Sequence, residues 1–265
     1  MSIAPVFFIS HGAPTFALEP GQLGPKLRAA GQQLTDVKAI LVVSPHWQTR
    51  DIRVMTTAAP ETIHDFGGFP RALYALQYPA PGAPQLATAT AQLLSRSGWA
   101  VGVEPQRGLD HGAWVPLLHM LPDARVPVFQ VSMPYSLDTA SALQLGRTLA
   151  PLREEGVMIL GSGSMTHNLY EFRQSSGREA AYAREFAQWN HRAIMANEID
   201  QLLAYRTLAP HAERAHPTDE HYLPLLVALG ARSEQEPARF IEGDITYGVL
   251  SMDSYAWGLP ATITA

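Results

Sequence analysis

The chain of 265 residues carries ten histidines and no cysteine, and several of the histidines stand where α/β proteins do their chemistry. In open α/β sheets ligands bind beyond the carboxyl ends of the strands, so a polar residue just after a strand-like run is a site candidate. His11 follows the apolar run Val6-Phe7-Phe8-Ile9 in Ser10-His11-Gly12-Ala13-Pro14. His46 follows Leu41-Val42-Val43 in Ser44-Pro45-His46-Trp47, and His167 follows Gly161-Ser162-Gly163-Ser164-Met165-Thr166. One such histidine is ordinarily a hydrogen-bonded loop residue. Three of them converge on one rim if their strands are neighbours.

Two further histidines sit in Gly- and Pro-framed loops, each beside an aspartate. His111 lies in Gly108-Leu109-Asp110-His111-Gly112-Ala113-Trp114, and His64 in Thr62-Ile63-His64-Asp65-Phe66-Gly67-Gly68-Phe69-Pro70. The segment His216-Pro217-Thr218-Asp219-Glu220-His221-Tyr222-Leu223 reads as the start of a helix with Thr218 as N-cap, offering His216, Glu220 and His221 as ligands. His119, His191 and His211 read as structural or solvated.

Imidazoles and carboxylates without thiolates suit divalent Fe, Zn, Cu or Mn, and such a site with open positions binds and activates a small molecule. No His-Glu-x-x-His, Gly-x-Ser-x-Gly, Gly-rich phosphate loop or dinucleotide fingerprint is present. Gly161-Ser162-Gly163-Ser164 reads as a tight turn leading to His167.

The elements that must hold these residues read as alternating strands and helices. Buried strands are expected at Val6-Phe7-Phe8-Ile9-Ser10, at residues 39–44, 126–131 and 157–161, and more weakly near Val101 and at residues 248–252. Helices are expected at residues 85–95, after Pro84, and at 137–155, after Ser136 as N-cap, with Leu145, Leu149 and Leu152 as one buried stripe and a kink at Pro151. This predicts one α/β domain over residues 1–265, with a mostly parallel or mixed central sheet covered by helices on both faces. The Pro-rich stretch from Tyr78 to Pro84 reads as a rigid turn inside that domain, and residues 173–178 as a mobile loop.

Composition narrows the class. With 46% apolar and 16% charged residues the chain is neither disordered nor, lacking a run of roughly 20 apolar residues, membrane-spanning. A formal charge of −5 without a Lys/Arg cluster gives no footprint for nucleic acid or an anionic membrane. The first eight residues lack the features of a signal peptide, and with no cysteine a cytoplasmic location is the expectation. Nothing in the sequence specifies an oligomeric state.

Taken in order, Ser10-His11-Gly12-Ala13-Pro14, Ser44-Pro45-His46-Trp47, Thr62 to Pro70, Asp110-His111-Gly112-Ala113-Trp114, Thr166-His167-Asn168-Leu169 and Glu220-His221-Tyr222-Leu223-Pro224-Leu225 carry a resemblance. The chain resembles the class III extradiol ring-cleavage dioxygenases of the DOPA 4,5-dioxygenase type, over nearly its whole length. That resemblance implies one α/β domain with a mononuclear non-haem metal, ligated by His11, His46 and His221, and with His167 beside it. Protocatechuate-cleaving relatives use two histidines and a glutamate, and Glu220 adjoins His221. Adjacent helical residues point about 100° apart, so both cannot face one metal equally well, and the DOPA-type pattern favours His221.

The implied reaction is Fe(II)-dependent opening of a DOPA-like catechol ring by O2 to a muconic-type semialdehyde, with His167 and His111 as acid/base groups. His64 and Asp65 are expected to meet a substrate substituent, on a loop that covers the cleft. Tyr247, Phe66 and Trp114 either line the pocket or fill the core. An all-histidine set also suits Zn(II), which a purified sample could carry. Rival readings are a zinc hydrolase using the same histidines and a non-catalytic interaction protein like the Memo family, which shares the fold.

Overall fold

The computed structural model describes residues 3–172 and 178–259. In chain order its strands are β1 (Val6–Ser10), β2 (Ala39–Thr49), β3 (Ile52–Met55), β4 (Val101–Glu104), β5 (Val128–Pro134), β6 (Val157–Gly163), β7 (Arg239–Ile241), β8 (Ile245–Thr246), β9 (Leu250–Ser251) and β10 (Ser254–Trp257). The longer helices are α1 (Leu23–Gly31), α3 (Pro84–Arg96), α4 (His111–Met120), α5 (Thr139–Leu149), α7 (Ala181–Met195) and α11 (Leu223–Ala231). Between them lie the short helices α2 (Arg71–Tyr74), α6 (Leu169–Phe172), α8 (Ile199–Leu203), α9 (Tyr205–Leu208) and α10 (Ala212–Ala215).

Eight strands form one mixed sheet in the order β4-β3-β5-β2-β6-β1-β10-β7. Its centre, β5-β2-β6-β1, is parallel. Parallel strands covered on both faces have no solvent side to alternate with, which is why β1, β5 and β6 are buried at every position. Successive residues of β6 show the two covers. A Cβ on Gly161 would lie 2.1 Å from the Pro224 carbonyl oxygen of α11, whereas the Ser162 hydroxyl donates to the Gly112 carbonyl of α4. Side chains alternate across a strand, so α11 and α4 lie on opposite faces. The fold is therefore one α/β domain with a mixed sheet between helices.

Four local readings change. The second strand extends to Thr49 and contains His46, with a register shift against β5 between Val43 and Gln48. The helix expected at 137–155 is α5 followed by a 3-10 turn over Ala150–Glu155, its N-cap being Asp138, whose carboxylate accepts from the Ser141 N–H at 2.8 Å. Pro151, which cannot donate to the helix ladder, falls in the tighter turn. His111 is the first residue of α4 rather than a loop residue, because Asp110 caps that helix. Thr218 caps nothing: α11 starts at Leu223, and Glu220 and His221 occupy the turn before it. The loop expected at 173–178 lies, except for its last residue, outside the described residues. None of the described helices is long and apolar enough to cross a membrane.

Candidate metal centre

The order β2-β6-β1 makes the strands that carry or precede His46, His167 and His11 immediate neighbours, so their histidines do meet at one rim. The turn before α11 brings His221 to the same point: the Ser164 N–H donates to the His221 carbonyl at 2.9 Å. Nitrogens of His11, His46 and His221 all lie within 4.8 Å of one another. The Nε2 atoms of His11 and His46 are 3.0 Å apart. His11 and His221 are buried, and His46 is half-buried.

The hydrogen bonds behind the rings decide which nitrogens are bare. Because the Ser162 hydroxyl donates to the Gly112 carbonyl, it accepts from His11 Nδ1–H at 2.9 Å, leaving a lone pair on His11 Nε2. The Glu220 carboxylate accepts from His221 Nδ1–H at 2.9 Å, leaving His221 Nε2 buried with no hydrogen-bond partner. His46 turns Nδ1 toward Asp65 Oδ2 across 3.7 Å. Polar partners that fix the outer nitrogen of each imidazole are the usual support of metal-binding histidines. A divalent cation sharing the inner nitrogens fits this donor set and would satisfy the orphaned Nε2. Burial, and then the neighbouring imidazoles, hold His11 and His221 well below the ordinary histidine range; for His46, Asp65 works against the same two causes. All three are neutral donors at pH 7.

Two more histidines touch this group. His167 stacks on His221 with centroids 3.4 Å apart, and burial lowers it to about 4. His111 packs on His46 at 3.9 Å. Asp65 Oδ1 accepts the His111 backbone N–H at 2.9 Å and lies 3.0 Å from His111 Nδ1. Burial pushes the Asp65 carboxyl up, but the bond from His111 and the charges of His111 and His46 outweigh it and hold the group at about 2.

The loop before α2 is pinned where it passes the centre. Ile63 N–H donates to the Leu109 carbonyl and Leu109 N–H to the Glu61 carbonyl, both at 2.8 Å. Asp65 is thereby delivered to the histidines, whereas His64 bonds the Leu76 carbonyl through Nε2 at 3.0 Å and packs on Trp114. Trp114 belongs to the core, with its Nε1–H donating to Ile63. Phe66 reaches the His111 ring, and Tyr247 hydrogen-bonds Thr15 at 2.5 Å. His216 is removed from the cluster, its Nε2 bonding the Met165 carbonyl at 3.0 Å, and burial lowers it to about 3.

Sequence reasoning overlooked the supports. Asp110 is wholly buried, accepting from Ser44 at 2.9 Å, Gln130 at 2.8 Å and Arg107 at 3.2 Å, so it ties β2, β5 and the start of α4 together behind His46. Its signal was its place beside His111; Ser162 had none beyond standing near the end of a strand. Beside the centre, His167, Glu220, Leu169, Tyr170, Pro217 and Thr218 line an open cavity of about 450 Å³.

Known proteins match the chain over nearly its whole length. Residues 6–256 match the family model described as the catalytic LigB subunit of aromatic ring-opening dioxygenase. The chain is 41% identical to the 4,5-DOPA dioxygenase extradiol of Beta vulgaris over 258 residues, covering 96% of each protein. It is 38% identical to the enzyme of the same description from Escherichia coli K12, covering 96% of this chain and 94% of that one. A crystal structure of an uncharacterized E. coli K12 protein superposes with a TM-score of 0.78 at 32% identity, over 96% of this chain and 99% of the other.

Proposed function

The chain belongs to the LigB family and is an extradiol ring-opening dioxygenase; from that premise we propose that it opens a DOPA-like catechol with O2 to a muconic-type semialdehyde at one metal held by His11, His46 and His221. The observation that carries the ligand assignment is the buried Nε2 of His221, without a partner and within 4.8 Å of the His11 and His46 nitrogens. The ion these residues would hold, Fe(II) in this reading, would supply Lewis acidity toward a catechol and the redox capacity that zinc lacks.

The remaining work falls to the chain's own groups. His167, neutral at pH 7, takes the hydroxyl proton of the bound catechol and returns it during ring opening. His111 has Nδ1 against Asp65, so its Nε2 is the nitrogen left to exchange a proton, and the carboxylate stabilises the imidazolium that results. Asp65 thus acts through His111 and His46. His64, with Nε2 committed to Leu76, has Nδ1 for a substrate substituent. The zinc-hydrolase and Memo-like readings give way to family membership. Zinc in the same donors is expected to bind catechol without turnover.

Anaerobic loading with Fe(II), followed by O2 uptake and formation of yellow product with DOPA, caffeate and protocatechuate, tests the proposal. Uptake is expected with at least one catechol and with none in His221→Ala. A fully loaded protein that consumes no O2 with any catechol sinks it.

A further inference from the structure

Asp65 and His111 approach one another in a way that a hydrogen bond between their side chains does not explain. Asp65 Oδ1 lies 3.0 Å from His111 Nδ1, yet that buried nitrogen has no hydrogen-bond partner, so the contact has the distance of a hydrogen bond without its direction. Asp65 Oδ2 faces His46 Nδ1 across 3.7 Å, too far for a hydrogen bond. Each of the three residues offers a ligand atom within 4.8 Å of the other two. Around a tetrahedral zinc with bonds of ~2.1 Å, ligand atoms stand about 3.4 Å apart, and the ion sits off the line joining any two of them. A ligand nitrogen therefore aims its lone pair beside the neighbouring oxygen, as His111 Nδ1 does. Asp65 is exposed, which leaves room for a water as fourth ligand. The opposite flank of the cluster differs: His167, Glu220 and His221 lie equally close, but Glu220 Oε1 takes a directed hydrogen bond from His221 Nδ1–H at 2.9 Å, so that carboxylate is engaged.

We propose that Asp65, His111 and His46 form a second cation site, which takes Zn(II), and that an ion there arrests ring opening while the catalytic ion stays in place. The arrest rests on the ring-opening reading above; the binding does not. His46 serves both centres through opposite nitrogens, Nε2 facing His11 and Nδ1 facing Asp65. When the second ion binds, the Nδ1–H bond of His46 breaks, its proton leaves to water and a Zn–N bond takes its place, so one ring bridges two ions. Zinc on His111 Nδ1 confines that ring's proton to Nε2 and removes the lone pair with which the ring accepts another. Asp65, bound to zinc, no longer lends its charge to an imidazolium. Two imidazoles and a carboxylate are a donor set that suits Zn(II) and not Mg(II) or Ca(II).

Equilibrium dialysis of the zinc-loaded protein, with free Zn(II) raised to about 100 μM, or ten times a Kd of about 10 μM, should show two ions per chain. Asp65→Asn and His111→Gln should each keep the first ion and lose the second. In crystals soaked with excess zinc, anomalous scattering should place the second ion between Asp65, His111 and His46 Nδ1. With the Fe(II)-loaded protein, the same free zinc should lower turnover of catechol by about tenfold with iron retained, the factor that saturation at ten times Kd gives, and a chelator too weak to take the iron should restore it. A single bound ion, an anomalous peak elsewhere, or a second ion kept by both variants overturns the site. Full turnover with the second ion in place, or inhibition that follows loss of iron, overturns the arrest. A second ion in place on an iron-loaded protein that turns over no catechol keeps the site and overturns the ring-opening reading; turnover with only one ion ever bound does the reverse.

Discussion

His167 lies flat against His221, with ring planes 10° from parallel and centroids 3.4 Å apart, while Glu220 fixes the outer nitrogen of His221 alone. In the proposed site one ring of the stack, oriented by its hydrogen bond, is the ligand, and the other, with no side-chain hydrogen bond among the described residues, is the acid/base. His167→Ala should retain stoichiometric iron and bind catechol, but lose on the order of 10²–10⁴ in turnover. Metal analysis beside single-turnover kinetics checks this. Loss of iron in step with activity would make His167 a fourth ligand.

Ser162 sets the tautomer of His11 by accepting from Nδ1–H. Ser162→Ala should leave the protein folded and weaken metal binding by about 10–100-fold, as removal of an outer partner of a ligand typically does. His11→Ala, His46→Ala and His221→Ala should abolish binding, and His216→Ala should not. Chelator competition measures all five, and an unaltered affinity in Ser162→Ala would show that the hydroxyl does not orient the ring.

Asp65→Asn keeps an acceptor for the His111 backbone but removes the charge that stabilises His111 as an imidazolium. With metal content unchanged, kcat should fall by about 10² or more, the range of a positioned acid or base. An unchanged kcat and pH profile would leave Asp65 a purely structural loop anchor.

Gly112 is needed for close approach: a Cβ there would sit 2.3 Å from Ser44 Oγ and 3.0 Å from His46 Cδ2. Alanine favours helices by about 1 kcal/mol over glycine, so Gly112→Ala should help α4 locally yet displace the His46 ring. The expected result is a folded protein with weakened metal affinity. Circular dichroism and metal titration separate the two effects, and wild-type affinity would count against the contact.

His216 is wholly buried and held at about 3 by burial, while an unfolded chain takes up its proton near 6.5. Below that value the unfolded state binds more protons, so stability should be full above pH 6.5 and decline toward pH 3, by about 1.4 kcal/mol per pH unit for this residue. His119, His167 and the three clustered histidines, also lowered by burial, add to the slope in the metal-free protein. Urea melts between pH 4 and 7 test it: His216→Gln should reduce the slope by about 1.4 kcal/mol per pH unit, and an unreduced slope would assign it to the other histidines.

Much of the site was legible because its residues sit at the ends of short apolar runs, a purely local pattern. His11 and His167 stand where β1 and β6 stop, and the turn at Glu220 and His221 adjoins an apolar helix. His46 was readable as a candidate but not as part of a strand. The register shift between Val43 and Gln48 is a property of pairing with β5, some eighty residues away, and leaves no local trace. The same holds for β10, whose place beside β1 is a long-range choice, and for Ser162, whose role comes from α4 on the facing layer. Helix ends failed where a better cap was close at hand, as Asp138 over Ser136.

The position of β1 between β6 and β10 has a consequence for how the chain is made. A ribosome releases β1 first, yet its partner β6 ends at Gly163 and β10 at Trp257. At ~5–20 residues per second, the most apolar strand of the nascent chain waits about 8–30 s for its first neighbour. His11 and His221 cannot meet before then either, so metal uptake by the growing polypeptide is a late event. A pulse-labelled translation intermediate ending before Glu220 should therefore engage holdase chaperones while remaining unable to capture metal.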